Sequence, residues 1–153
     1  MLFTTYTTTL ALAVTLATRA EAVAVTGNTV SSDLMVTLDW MNAATCGGKN
    51  PWANVAIDAL CNGPGSGDAN GITVGTDWTQ KGVQYQGYLA QILNNNCPSN
   101  SVWVPWKYCE AQFHYLCANI GGVTDGVGEM KFGSNECQTF KISHIPGTPT
   151  WTG

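Results

Sequence analysis

The sequence predicts an α/β sandwich in which helices cover a mixed, largely antiparallel sheet, held together by disulfides. Three observations carry this. Short runs of period-two hydrophobicity alternate with longer runs of helical periodicity, the arrangement expected of layered α/β domains. The C-terminal part reads as a hairpin. Six cysteines, Cys46, Cys61, Cys97, Cys109, Cys117 and Cys137, all follow an N-terminal segment of secretory character.

In that N-terminal segment Leu10 to Ala17 is mostly apolar and Ala20-Glu21-Ala22 follows it. Small residues at the third and first positions before a cut mark a secretory signal, so cleavage is expected between Ala22 and Val23. The run is short and rich in threonine, whereas a membrane span needs about 20 apolar residues. The chain thus divides into a signal peptide, 1–22, and one secreted, extracellular domain, 23–153. An even cysteine count in an oxidising compartment predicts three disulfides.

The elements follow in order. Leu34, Val36, Leu38 and Trp40 alternate with Met35, Thr37 and Asp39, which predicts a strand with one buried face. Asn50 as cap and Pro51 in the first turn open a helix whose inner face carries Trp52, Val55, Ala56 and Ala59, and Gly63 ends it. Gly63 to Asp68 reads as a loop. Ile72 and Val74 suggest a strand. A second helix is expected to start at a cap of Asp77 or Thr79, with Tyr85, Tyr88, Leu89, Ile92 and Leu93 as its stripe, and to stop at Asn94 to Pro98. Val102 to Val104 reads as a strand. Trp106, Cys109, Phe113, Leu116, Cys117 and Ile120 define the strongest helix, closed by Gly121-Gly122. Met130 and Phe132, then Phe140 and Ile142, flank the four-residue loop Gly133 to Glu136 of a hairpin.

Helix geometry limits the disulfides. Cys109 and Cys117 on one helix are about 12 Å apart along its axis, whereas bridged Cα atoms lie within about 7 Å. Cys46 and Cys61 flank another helix and are similarly separated. Excluding both pairs leaves about 10 of the roughly 15 connectivities. The third helix is expected to be bridged to both earlier and later segments.

Composition excludes several functions. After residue 22 the chain has nine Asp or Glu, five Lys and no arginine, for a net charge of −4. Guanidinium forks are the usual grip on phosphates and carboxylates. Nucleic acid and anionic membranes are therefore poor partners, and a neutral polar ligand is expected. No CxxC pair accompanies His114 and His144, so no metal site or cofactor is expected. No serine sits in a GxSxG elbow, and no Asn-x-Ser/Thr sequon occurs after residue 22.

Aromatic residues carry the positive signal. Trp40, Trp52 and Trp106 fall at core-facing positions, and Trp151 lies in a Pro-rich tail expected to be mobile. Trp78 and Trp103 instead sit at element ends beside Asp77 and beside Asn100 and Ser101. An exposed indole can stack on a sugar ring while amide, carboxylate and hydroxyl groups bond its hydroxyls. Asp77, Trp78, Asn100, Ser101 and Trp103 are thus the candidate glycan-binding residues, and no catalytic residue is assigned. The rival reading is a small secreted hydrolase of cell-wall polysaccharide, motivated by carboxylates beside aromatics at Asp39-Trp40 and Asp77-Trp78; an effector or toxin acting on another protein is a weaker third. Glu110 and His114, at i and i+4, are read as a solvated helix face, Asp39 as the polar face of a strand and His144 as a strand residue.

Leu34-Met35-Val36-Thr37-Leu38-Asp39-Trp40 through Cys46, the helix start Asn50-Pro51-Trp52, the spacing of the six cysteines and the cut after Ala22 resemble the secreted fungal glycan-binding proteins of the Y-three type, the lectin type of the shaggy ink cap mushroom. The resemblance spans essentially the whole chain after residue 22 and rests on overall pattern without a short diagnostic motif. It implies an αβα-sandwich lectin stabilised by disulfides, a homodimer through edge-to-edge sheet extension, recognition of fucosylated LacdiNAc-type glycans, and antiviral and cytotoxic effects through cell-surface glycans. It carries over no site residues.

Overall fold

The computed structural model describes residues 30–63, 67–68, 70–122 and 125–152. The expected signal segment, 1–22, and residues 64–66 of the Gly-rich loop lie outside them. The chain forms a disulfide-stabilised α/β fold with helices and two sheets, both antiparallel. Strands β1 (Gly67–Asp68), β2 (Gly71–Val74) and β5 (Val102–Pro105) make a three-stranded sheet in the order β1-β2-β5. Strands β3 (Val83–Tyr85), β4 (Tyr88–Asn94), β6 (Gly128–Phe132) and β7 (Gln138–His144) make the second, in the order β3-β4-β7-β6. The helices are α1 (Ser32–Thr37), α2 (Asp39–Lys49), α3 (Pro51–Asn62), α4 (Asp77–Lys81) and α5 (Trp106–Tyr115), the last running into a π-helical turn, Leu116–Ile120. Helix α5 packs against α1, α2 and α3 and touches both sheets, and α3 also lies on β3 and β4.

Several elements follow the sequence reading closely. Asn50 caps α3, its side-chain oxygen accepting from the N–H groups of Trp52 and Ala53, with Pro51 next and Gly63 at the end. The predicted hairpin forms between β6 and β7, and His144 ends β7.

Residues 34–40 form no strand. Ser31 accepts from the N–H of Leu34 and starts α1, and α2 follows after the single junction residue Leu38. The governing stripe is helical, since Met35, Asn42 and Cys46 are buried whereas Leu34 and Trp40, on the supposed inner face, are exposed. The expected helix over residues 77–93 stops at Lys81. Its cap is Thr76 and Gly82 takes φ +70 at its end. The rest is the hairpin β3–β4, because Gln86 and Gly87 both have positive φ, the backbone of a two-residue hairpin turn. Alternate residues Tyr88, Ala90 and Ile92 of β4 are then buried.

Tryptophan placement also differs. Trp40 is 73% exposed, and Trp106 is exposed at the start of α5. Trp52 keeps a core role, 6.2 Å from Tyr88 and 5.4 Å from Trp151 between ring centres. Trp151 is thereby docked, and its backbone N–H donates to the Tyr88 hydroxyl at 3.1 Å.

The bridges are Cys46–Cys117, Cys61–Cys109 and Cys97–Cys137. Neither forbidden pair occurs. Both cysteines of the third predicted helix region reach earlier elements, α2 and α3, because those helices flank it; the expected bridge to a later segment is absent. Instead Cys97–Cys137 ties the loop after β4 to the start of β7.

Candidate functional site

The five sequence-predicted glycan-binding residues do not gather in one place. Asp77 lies in the first turn of α4 and pairs with Lys81 at 2.8 Å, both side chains in solvent. The Lys81 hydrogen bond, then its charge, holds the Asp77 carboxyl below its ordinary value. Trp78 is half-buried and its indole N–H donates to the Leu60 carbonyl at 3.1 Å. Asn100 and Ser101 lie in the loop before β5, where their carbonyls accept from Asn94 and Ser99 side chains. Asn100 lines an asparagine-rich hollow with Gly75, Gln80, Asn94, Asn96 and Cys97. Trp103 lines a different groove.

That groove, of about 280 Å³, runs between α1, β5, α5 and the β6–β7 turn, and is lined by Ser32, Trp103, Val104, Pro105, Tyr108, Gln112, Gly133 and Gln138. Trp103 is 49% exposed. Its indole edge rests over Gly71 of β2, where an added Cβ would stand 2.5 Å from the ring nitrogen. The missing side chain on the neighbouring strand therefore lets the indole lie flat while part of it faces solvent. Gly133, at φ +78, similarly makes room for the Gln138 carboxamide.

Polar groups complete the lining. Gln112 donates from its amide nitrogen to Ser32 Oγ at 3.1 Å. Its carbonyl oxygen Oε1 is buried and has no partner. Such an unsatisfied buried acceptor costs about 1–3 kcal/mol. The Tyr108 hydroxyl donates to Asp33 at 2.7 Å, and that bond, then the Asp33 charge and burial, raises the phenol above its ordinary value. Lys107 lies 5.1 Å from the Tyr108 ring centre. With one aromatic face next to a cation, Trp103 is the stacking surface the groove offers.

Tyr108, Gln112, Gln138 and Ser32 are missed by the sequence reading. Tyr108 and Gln112 are an i, i+4 pair on a face of α5 distinct from the apolar stripe, a signal that was legible. Ser32 and Gln138 join only through the tertiary fold.

A second polar cluster occupies another face of α5. Glu110 and His114 do not form a solvated pair. Glu110 accepts from the Asn62 amide, and burial, opposed by that bond and by His114, raises its carboxyl above the ordinary range; the Asp39 and Asp58 charges add to the rise. The His114 side chain is only 5% exposed, with Nδ1 2.7 Å from Asp39 Oδ1 and Nε2 3.8 Å from Asp58 Oδ1. Burial alone would lower its pKa, but the Asp39 hydrogen bond and the charges of Asp39 and Asp58 outweigh it and lift the imidazole from 6.5 to about 9. Asp39 and Asp77, the carboxylates behind the hydrolase reading, are thus bound to separate partners, His114 and Lys81. Among the described residues no three His, Cys, Asp or Glu side chains are placed to hold a metal ion.

The raised His114 pKa has a stability consequence. The folded state holds the proton more tightly than the unfolded state, so the stabilisation is complete below pH 6.5, declines as the unfolded chain deprotonates, and is lost above about pH 9. A gap of this size corresponds to on the order of 3 kcal/mol. Urea unfolding across pH 6 to 9.5 is expected to show this decline in the native protein and a flatter profile in His114→Gln; equal slopes in the two would refute it.

Comparison with known proteins finds no matching family model, no similar curated protein and no similar solved structure. The geometry of the groove carries the functional argument.

Proposed function

We propose that the protein is a secreted lectin that binds neutral glycans in the groove headed by Trp103. The observation that supports this most is the exposed Trp103 indole, which shares its groove with Tyr108, Ser32 and Gln112. The indole offers a flat apolar surface to a sugar ring, and the polar side chains that line the groove offer partners to its hydroxyls. The lining residues carry no formal charge at neutral pH, which suits an uncharged ligand.

Within that class, the resemblance to Y-three type fungal lectins points to fucosylated LacdiNAc-type glycans, with antiviral and cytotoxic effects following from cell-surface binding. It also points to a homodimer by sheet extension. The outer strands β3 and β6 of the four-stranded sheet are edges of the kind such pairing uses, and two sites in one particle would multiply weak affinities.

A glycan array on the secreted protein tests the reading, and titration with a binding glycan quantifies it. Trp103→Ala is expected to raise Kd by roughly tenfold or more. Gly71→Ala, whose Cβ would meet both the indole and the Val104 carbonyl, is expected to weaken binding as well and to loosen the β2–β5 pairing. An array with no binder, or a Trp103→Ala variant of native affinity, would overturn the proposal.

A further inference from the structure

Helix α1 forms one wall of the groove, contributing Ser32, and its Asp33 accepts from the Tyr108 hydroxyl. It is six residues long, and Met35 is its one buried residue. A helix this short has little stability of its own. Leu38, with φ −98 and ψ 7, is the single residue that joins it to α2, and α1 also rests on α5, with Asp33 and Ser32 bonded to Tyr108 and Gln112. The seat of α1 is thus set by α5 beneath it and, at its C-terminal end, by how the first turn of α2 is held.

That turn is held by Asp39, whose carboxylate meets the buried His114 Nδ1 at 2.7 Å. The other part of α2 is pinned by Cys46–Cys117. The two attachments lie about 10 Å apart along the helix. Asn119 donates to Asn42 between them and Lys49 to the carbonyls of Cys117 and Ala118 beyond, so releasing the first loosens only the N-terminal end of α2, which carries Leu38 and α1. The charged groups facing His114 are Asp39 from α2, Asp58 from α3 and Glu110 from its own helix. All three favour the imidazolium.

We propose that Asp39 and His114 form a clamp that seats α1, so that ligand affinity at the groove depends on a pair that is not itself among the groove-lining residues. His114 is then a positioning residue. The inference rests on the groove being the glycan site, but the seating of α1 can be read without any ligand.

The experiment compares native protein, His114→Gln and Asp39→Asn by amide hydrogen exchange and by titration with a fucosylated LacdiNAc glycan. In His114→Gln, α1 amides are expected to exchange about tenfold faster while α3 and β4 keep native protection, and Kd is expected to rise by a similar factor. Asp39→Asn, which keeps an acceptor but loses the charge, should be intermediate; it also serves if His114→Gln does not fold. Native protein should show the same loosening as pH passes about 9, where His114 gives up its proton, and His114→Gln should lack that step. Tyr108, raised by Asp33, titrates higher and stays distinct. Native exchange of α1 in both variants would overturn the clamp. If the native protein binds no glycan, the function assigned to the groove falls, while α1 exchange still decides the clamp.

Discussion

Replacing Cys46 and Cys117 together with alanine is expected to lower stability by about 4 kcal/mol. The bridge joins residues 71 apart in sequence, and in the chain-entropy account a loop of this size is costly to close in the unfolded state once the cross-link is gone. Cys97–Cys137 spans 40 residues. Because closure entropy grows only with the logarithm of loop length, that term is similar for both. The two bridges differ in burial. Cys46 and Cys117 are both fully buried, between α2 and the π-helical turn that continues α5, so the double substitution also loosens helix packing. Urea denaturation should show the Cys46/Cys117 variant as less stable than a Cys97/Cys137 variant. A loss below about 1 kcal/mol would show that α2 is held mainly by its other contacts.

Local chemistry was legible wherever a residue settles the backbone by itself. Asn50-Pro51 announces α3 because cap and first-turn proline act within one turn. The hairpin of Met130 to Ile142 is announced by alternation on both sides of a four-residue loop. The two misread segments failed for opposite reasons. Residues 34–40 alternate in hydrophobicity, yet Met35, on the supposed outer face, is the residue that docks, and Asp39 points to a histidine 75 residues away. Residues 83–94 fit a helical stripe and a hairpin equally well, and Gly87 at positive φ decides for the hairpin. Periodicity alone does not separate the two in short apolar runs.

The site divides in the same way. The exposure of Trp103 was legible because it sits at a strand start beside polar residues. Asp77, Trp78, Asn100 and Ser101 share its local character but do not line its groove. Gln112 Oε1 matters because nothing pairs with it, and a missing partner is a property of the packed fold. His114 shows the reverse. Its i−4 neighbour Glu110 suggested a surface pair, whereas its real partners come from two other helices.

Phe140→Ala is expected to cost about 3–5 kcal/mol, because the vacated volume cannot collapse around a ring wedged between rigid elements. Phe140 is fully buried in β7, paired across the sheet with Ile92 of β4 and Met130 of β6. Its ring centre is 4.8 Å from that of Phe113 and 5.0 Å from that of Phe132, the latter edge-on. The contact with Phe113 joins the four-stranded sheet to α5. Phe113 lies between Gln112, which lines the groove, and His114, which holds Asp39, so this core contact supports both polar faces of the helix. Phe140→Leu retains much of the volume and should cost under about 2 kcal/mol. Thermal and urea unfolding check both values. Binding at pH 7 should separate the two roles of the residue: with α5 still bridged by Cys61–Cys109, and by Cys46–Cys117 through the adjoining π-helical turn, folded Phe140→Leu should bind with near-native affinity. A loss of binding without loss of stability would mean that the Phe113–Phe140 contact sets the rotation of α5, and with it the position of Gln112.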